Sequence, residues 1–191
     1  MFPDQRRQGG PSRHAESVEV VATLKHHNGP TGRYELLQSR GQIGVVGGSE
    51  FEIGEVFESG GRTVTETDVV NFAGLSGDFN PLHIDAEFAK KTPFEQRIAH
   101  GMLSTSISTG QGNTLGIFEG TTIALMGMDL AFKAPVFFGD TIRLRLTVES
   151  TKLSSKGGKG TVVFLKEIVK QDDTVAISGH WTVLFRDKKQ S

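Results

Sequence analysis

The chain has 191 residues, a formal net charge of −1 and no cysteine. Near-neutrality excludes a whole-protein basic field, so neither nucleic acid nor anionic lipid is expected as a partner, and the missing cysteine removes disulfides, thiolate metal sites and cysteine nucleophiles and suits a reducing compartment. The length suits one sizeable core; the opening "MFPDQRRQGGPSRH" has no apolar signal stretch, and no apolar run approaches the ~18 residues of a spanning helix, so the expectation is a cytoplasmic protein with no membrane partner.

Residues 1–17 are polar, contain Gly and Pro and lack periodicity, which predicts a loose tail. Residues 18–50 carry the short strand-like runs "SVEVVATL" and "GRYELLQ" and the glycine-rich "GQIGVVGGSE"; they read as an N-terminal extension without an assigned element. The pattern sharpens from Phe51. "EIGEVFESGGRTVT" predicts a strand entered through a Gly-Gly turn, and Thr65, followed by Glu66 and Asp68, predicts the N-cap and acidic first turn of a helix "ETDVVNFAGLSG". Val69, Phe72 and Ala73 share one face of that helix, which should end near Gly74 or Gly77.

The next stretch, "SGDFNPLHIDAEFAKKTPFEQRIAHGM", gathers acid, base and turn residues. The ring of Pro81 holds Asn80 out of the helical region, and Asp85 is a suitable N-cap for "AEFAKK", with Pro93 just past its end. Asp78 and His83 therefore fall on an irregular bridge between two helices. "HGMLSTSISTGQGNTLGIF" follows as a helix buried on most sides through Met102, Leu103, Ile107 and small residues that allow close approach to a sheet.

The rest reads as four strands: "TTIALMGMDLAFKAP", "GDTIRLRLTVESTKL", "KGTVVFLKEIVKQ" and "DTVAISGHWTVLFRD". Ile142, Leu144, Leu146 and Val148 alternate with polar residues, and Val175, Ile177, Trp181, Val183 and Phe185 repeat the pattern of a sheet with one buried face. "SSKGGKG" and "KQDDT" supply hairpin turns, so these strands are expected to form an antiparallel meander. The predicted fold class is α+β, a curved antiparallel sheet wrapped around one central helix.

Asp78 and His83 on one loop suit proton transfer to and from water, because imidazole titrates near neutrality and a carboxylate accepts protons. The same residue types can instead satisfy backbone groups, or His83 and His100 can join Asp78 or Asp85 around a metal, although no two histidines lie one helical turn apart. Gly101 opens the buried helix, where free N–H groups and the helix dipole stabilise negative charge. It also fits a purely packing role.

"SGDFNPLHIDAEFAKKTPFEQRIAHGMLSTSISTG", followed by "FKAPVFFGDTI", closely resembles the MaoC-like hydratases, the (R)-specific enoyl-CoA hydratases of the hot dog fold. The resemblance runs from about Phe51 to Arg186 and rests on a D-x-N-P-x-H element with I-A-H-G downstream. It implies a hot dog domain over residues 51–187 that forms a homodimer or dimer of dimers through sheet edges. It further implies Asp78 and His83 as the catalytic pair, the Gly101 N–H as donor to a thioester carbonyl, and Asn80 as support for the loop. Thr109 matches a position near the acyl pocket where several members have serine, and His100 is expected to support the turn.

The implied reaction is reversible hydration of trans-2-enoyl-CoA to (R)-3-hydroxyacyl-CoA, with coenzyme A or acyl carrier protein bearing the substrate and with neither a metal nor a separate cofactor. An acyl-CoA thioesterase and a non-catalytic acyl-CoA binding module are the alternatives on the same scaffold. Lys152, Lys156, Lys159 and Arg97 are candidates to meet coenzyme A phosphates, against the plainer expectation of a solvated charged face.

Overall fold

The computed structural model describes residues 47–187; the predicted tail and nearly all of the extension lie outside the described residues. Thr65 caps helix α1 (Glu66–Ser76) through a reciprocal box. Its hydroxyl accepts from Asp68 N–H at 3.2 Å, and the Asp68 carboxylate accepts from Thr65 N–H at 2.9 Å. Gly77 ends the helix at φ 76°, a left-handed conformation that a side chain would strain. Val69 and Ala73 are buried, and Phe72 packs beside them.

Strands β1 (Val56–Glu58) and β2 (Arg62–Thr63) both pair antiparallel with β4 (Thr141–Leu153). The Gly-Gly pair was expected to lead into a strand; instead it interrupts one. Ser59, Gly60 and Gly61 stand opposite only Arg143 and Leu144, the geometry of a bulge. Ser59 keeps the edge paired there, since its N–H donates to Leu144 O at 2.9 Å and its hydroxyl accepts from Leu144 N–H at 2.9 Å.

The predicted four-strand meander needs correction. β4, β5 (Lys159–Lys170) and β6 (Val175–Arg186) do form successive hairpins, but β3 (Thr122–Phe132) pairs with β6 at the far edge, giving the order β1-β4-β5-β6-β3. The segment between β3 and β4 contains Pro135 and is too long for a tight hairpin. It crosses over: Ala134 N–H donates to Ala176 O at 3.1 Å, Ala99 N–H to Val136 O at 2.8 Å, and Gly139 N–H to Val64 O at 2.8 Å.

Helix α2 (Pro81–Ile84), helix α3 (Ala86–Ala89) and helix α4 (Gly101–Thr114) complete the element list. α4 packs on the sheet between two apolar clusters. One contains Phe51, Leu144, Phe164, Trp181 and Phe185; the other contains Val69, Leu103, Ile107, Ile142, Ile168 and Ile177. The inward alternation of β4 follows the prediction. Gly112 lets α4 come close, as a β-carbon there would sit 3.3 Å from Leu144 and 3.4 Å from Trp181.

α4 is not buried on most sides. Leu103, Ser104, Ile107, Ser108 and Gln111 are covered, but Ser106, Thr109 and Asn113 form an open face with Met102, which is 48 % exposed rather than inside. Leu125, Met126, Met128 and Phe132 on the edge strand β3 are exposed as well. Among the described residues no helix is long and apolar enough to cross a membrane.

Candidate active site

The segment after α1 is built from local caps. Asp78 Oδ1 accepts from Asn80 N–H at 3.3 Å, and Asn80 Oδ1 accepts from Leu82 N–H at 3.0 Å, starting α2 with Pro81 in its first turn. Asp85 then starts α3 by accepting from Glu87 and Phe88 N–H at 2.9 and 3.0 Å. α3 is the helix expected at "AEFAKK", with the expected Asp85 cap, while the bridge before it, expected to be irregular, contains the one-turn helix α2. His83 stands on α2, not on free loop.

His83 lies 2.8 Å through Nδ1 from the carbonyl of Ile98. A carbonyl can only accept, so Nδ1 carries the hydrogen and Nε2 of the neutral ring keeps its lone pair. Burial pushes the His83 pKa down, and the nearby His100 adds to this, while the Ile98 hydrogen bond and Asp78 oppose it. The balance favours the neutral imidazole.

His100, only 3 % exposed, lies beneath this group. Its Nε2 donates to the Asp78 carbonyl at 2.9 Å and lies 4.0 Å from Asp78 Oδ2. The rings of His83 and His100 stack with centroids 3.7 Å apart at 31°, and Phe72 flanks His100 at 5.1 Å. One histidine therefore anchors the backbone that carries Asp78 and also supports the second histidine. The Asp78 side chain itself remains 54 % exposed.

Asp78, His83 and His100 each offer one ligand atom within 4.8 Å of the others. A divalent ion at ~2.1 Å needs lone pairs that converge. Each ring already commits one nitrogen to a backbone carbonyl, and the other nitrogen of His100, Nδ1, is buried, so His100 presents no accessible lone pair to an ion. The arrangement suits hydrogen bonding to a water or substrate.

Gly101 follows directly. α4 has no side-chain cap, and no acceptor among the described residues takes the Gly101 N–H. The Phe132 ring lies so close that a β-carbon on Gly101 would come within 2.3 Å of it. Asp78, Asn80, His83 and Gly101 are therefore gathered at one helix start. Thr109 is not; it lies two turns along α4, exposed, donating its hydroxyl to Ser106 O at 2.7 Å. It lines a separate cavity of about 190 Å³ with Asn113, Phe118, Leu125 and Trp181.

The other cationic candidates lie elsewhere. Arg97 is engaged by Glu66 at 2.6 Å and by the Phe138 ring at 4.8 Å. Lys152, Lys156 and Lys159 are exposed on the β4–β5 hairpin, as a solvated face would be. The sequence reading overlooked Lys166, although its inward register between Phe164 and Ile168 was visible in the strand alternation.

Residues 49–171 match the family model described as MaoC like domain. The chain belongs to the MaoC-like family. Over 88 residues it is 44 % identical to an (R)-specific enoyl-CoA hydratase of Rhodospirillum rubrum, covering 46 % of this chain and 59 % of that one, less than two thirds of its length. Over 117 residues it is 38 % identical to an (R)-specific enoyl-CoA hydratase of Aeromonas caviae, covering 61 % of this chain and 82 % of the relative. A solved structure described as a monoamine oxidase regulatory protein from Archaeoglobus matches with a TM-score of 0.70 at 36 % identity, over 75 % of this chain and 96 % of the other. The antiparallel sheet around α4 is the hot dog fold.

Proposed function

We propose that this MaoC-like protein is a hydro-lyase that adds water reversibly to trans-2-enoyl thioesters, giving (R)-3-hydroxyacyl thioesters carried on coenzyme A or acyl carrier protein. The observation that carries the reading is the pairing of a neutral His83, its Nε2 free to accept, with Asp78 beside the uncapped start of α4. The similarity to hydratases supports the reaction class.

In this reading a water donates one hydrogen to Asp78 and the other to His83 Nε2, which leaves an oxygen lone pair for the β-carbon. Asp78 takes a proton as the new C–O bond forms, and His83 orients the water. Charge moves onto the thioester oxygen, where the Gly101 N–H stabilises it; donors of this kind are worth about 3 kcal/mol elsewhere. Asp78 then passes that proton to the α-carbon, which completes addition of H and OH and restores its carboxylate. The scheme requires no metal and no cofactor beyond the carrier that is part of the substrate.

Asn80 holds the loop through the α2 cap, His100 positions both members of the pair, and Thr109 contributes to the acyl-side cavity. The edge of β3, unpaired among the described residues, and its apolar residues, next to the open face of α4, suit a second copy of the chain in a homodimer or dimer of dimers. Light scattering would test that assembly. Crotonyl-CoA tests the chemistry: hydration removes enoyl absorbance without releasing thiol, whereas thiol release at the same rate identifies a thioesterase and binding without turnover identifies a binding module.

A further inference from the structure

β5 carries two buried lysines with different surroundings. Lys170, 8 % exposed, has Asp140 at 2.9 Å. Lys166 is 0 % exposed, and its Nζ has no hydrogen-bond partner among the described residues. The Trp181 ring lies against it, with Nζ 5.0 Å from the centroid. Burial lowers the Lys166 pKa to about 8, which still leaves the amine mainly protonated at neutral pH. A buried cation without a counter-charge is costly, so one that persists in a fold is a candidate for recognising an anion.

Its place in the core indicates where such an anion would come from. Lys166 points inward between Phe164 of one apolar cluster and Ile168 of the other. On β6, Gly179 lies opposite Lys166 and adds no side chain, while on β4 the buried Leu146 lies opposite it. On α4, the buried residues between Leu103, Ile107 and the Trp181-facing Gly112 are Ser104, Ser108 and Gln111, the last held by Gly60 O and Ile142 O. The Ser104 hydroxyl is buried and also lacks a partner. Ser104 and Ser108 thus put hydroxyls on the buried face of α4, beginning one helical turn beyond Gly101. Trp181, which covers Lys166, also lines the cavity that contains Thr109.

We propose that Lys166 is a specificity residue for the acyl chain, and that the preferred substrate carries a carboxylate on the tail of its enoyl group. The inference rests on the hydration reading, which sets the thioester carbonyl at Gly101. A tail extending one to two turns along α4, roughly 5–10 Å, reaches these hydroxyls. There its carboxylate pairs with the Lys166 ammonium and accepts from the Ser104 hydroxyl, while Trp181 packs against the methylenes. An apolar tail of equal length would leave both groups unpaired.

The test compares carboxylate-ended with methyl-ended trans-2-enoyl-CoAs of equal chain length, using the full chain and its Lys166→Met variant. The wild type should favour the carboxylate series in kcat/KM, and K166M should lower the carboxylate-to-methyl ratio by roughly 30-fold or more, the cost of removing one member of a buried charge pair. A wild type that favours methyl-ended substrates, or a ratio that K166M shifts less than about twofold, overturns the proposal. The wild-type preference remains decisive if K166M does not fold.

Calorimetry with saturated carboxylate-ended acyl-CoA separates this proposal from the reaction. Lys166-dependent binding without hydration of any enoyl-CoA would retain the recognition and remove the hydratase reading. Hydration of crotonyl-CoA with a Lys166-independent ratio would do the reverse.

Discussion

The two long helices among the described residues begin in opposite ways. α1 starts with a closed box, Thr65 and Asp68 exchanging hydrogen bonds, so the chain satisfies its own N–H groups. α4 starts with Gly101 after a buried His100 that caps nothing and instead holds the Asp78 carbonyl. α2 and α3 follow the pattern of α1, with Asn80 and Asp85 as caps. A helix start closed by its own side chains is architecture; one left open beside a carboxylate and an imidazole can receive a ligand oxygen.

Substitutions should separate these roles, and the largest effects belong to the open start. Asp78→Asn and His83→Ala are each expected to cut enoyl-CoA hydration by roughly 10²–10⁴-fold with unchanged circular dichroism. Undiminished turnover in either variant would remove that residue from the chemistry. Gly101→Ala should displace the Phe132 ring and lower kcat/KM by about 10²-fold, since small misplacements of a reacting group are expensive. At the closed start the effect should be on stability: Thr65→Ala should cost about 1 kcal/mol in denaturant unfolding and leave turnover per folded molecule intact. A large loss of turnover there would break the comparison.

Two titrations sharpen it further. The folded-state pKa of His83 lies below 6.5, so the folded protein binds fewer protons than the unfolded chain between that lowered value and 6.5. This group therefore removes stability as pH falls through that window, and the acid limb of kcat/KM should lie below 6.5 as well. Lys166 acts at the other end of the scale. Its pKa is lowered from 10.5 to about 8, so stability should rise as pH climbs between those values, and K166M should abolish the rise. Urea unfolding across both ranges would measure these slopes.

Much of this was legible in the sequence where the cause is local. The Thr65 cap, the extended Asn80 before Pro81 and the Asp85 cap each depend on a few neighbouring residues, and the alternation of β4 follows from the pleat. The position of β3 was not legible in the same way, because pairing with β6 rather than β4 is a long-range choice; Pro135 and the length of its segment were the available signals. Met102 was misplaced because apolar character does not say which helix face is covered.

The candidate site divides similarly. Asp78, Asn80, His83 and Gly101 were readable as a motif, but the His83 tautomer depends on Ile98, and the stacked support from His100 depends on folding that brings the two rings together. Thr109 belongs to the cavity two turns away, which helical spacing from Gly101 already implied.

The open start of α4 and the Asp78–His83 pair are proposed to hydrate an enoyl thioester. Incubating the wild-type protein with crotonyl-CoA while following enoyl absorbance and free thiol together tests it most directly. Loss of absorbance with no thiol released, and (R)-3-hydroxybutyryl-CoA as the product, is the predicted result. Unchanged absorbance, or thiol appearing at the same rate as absorbance is lost, would contradict it.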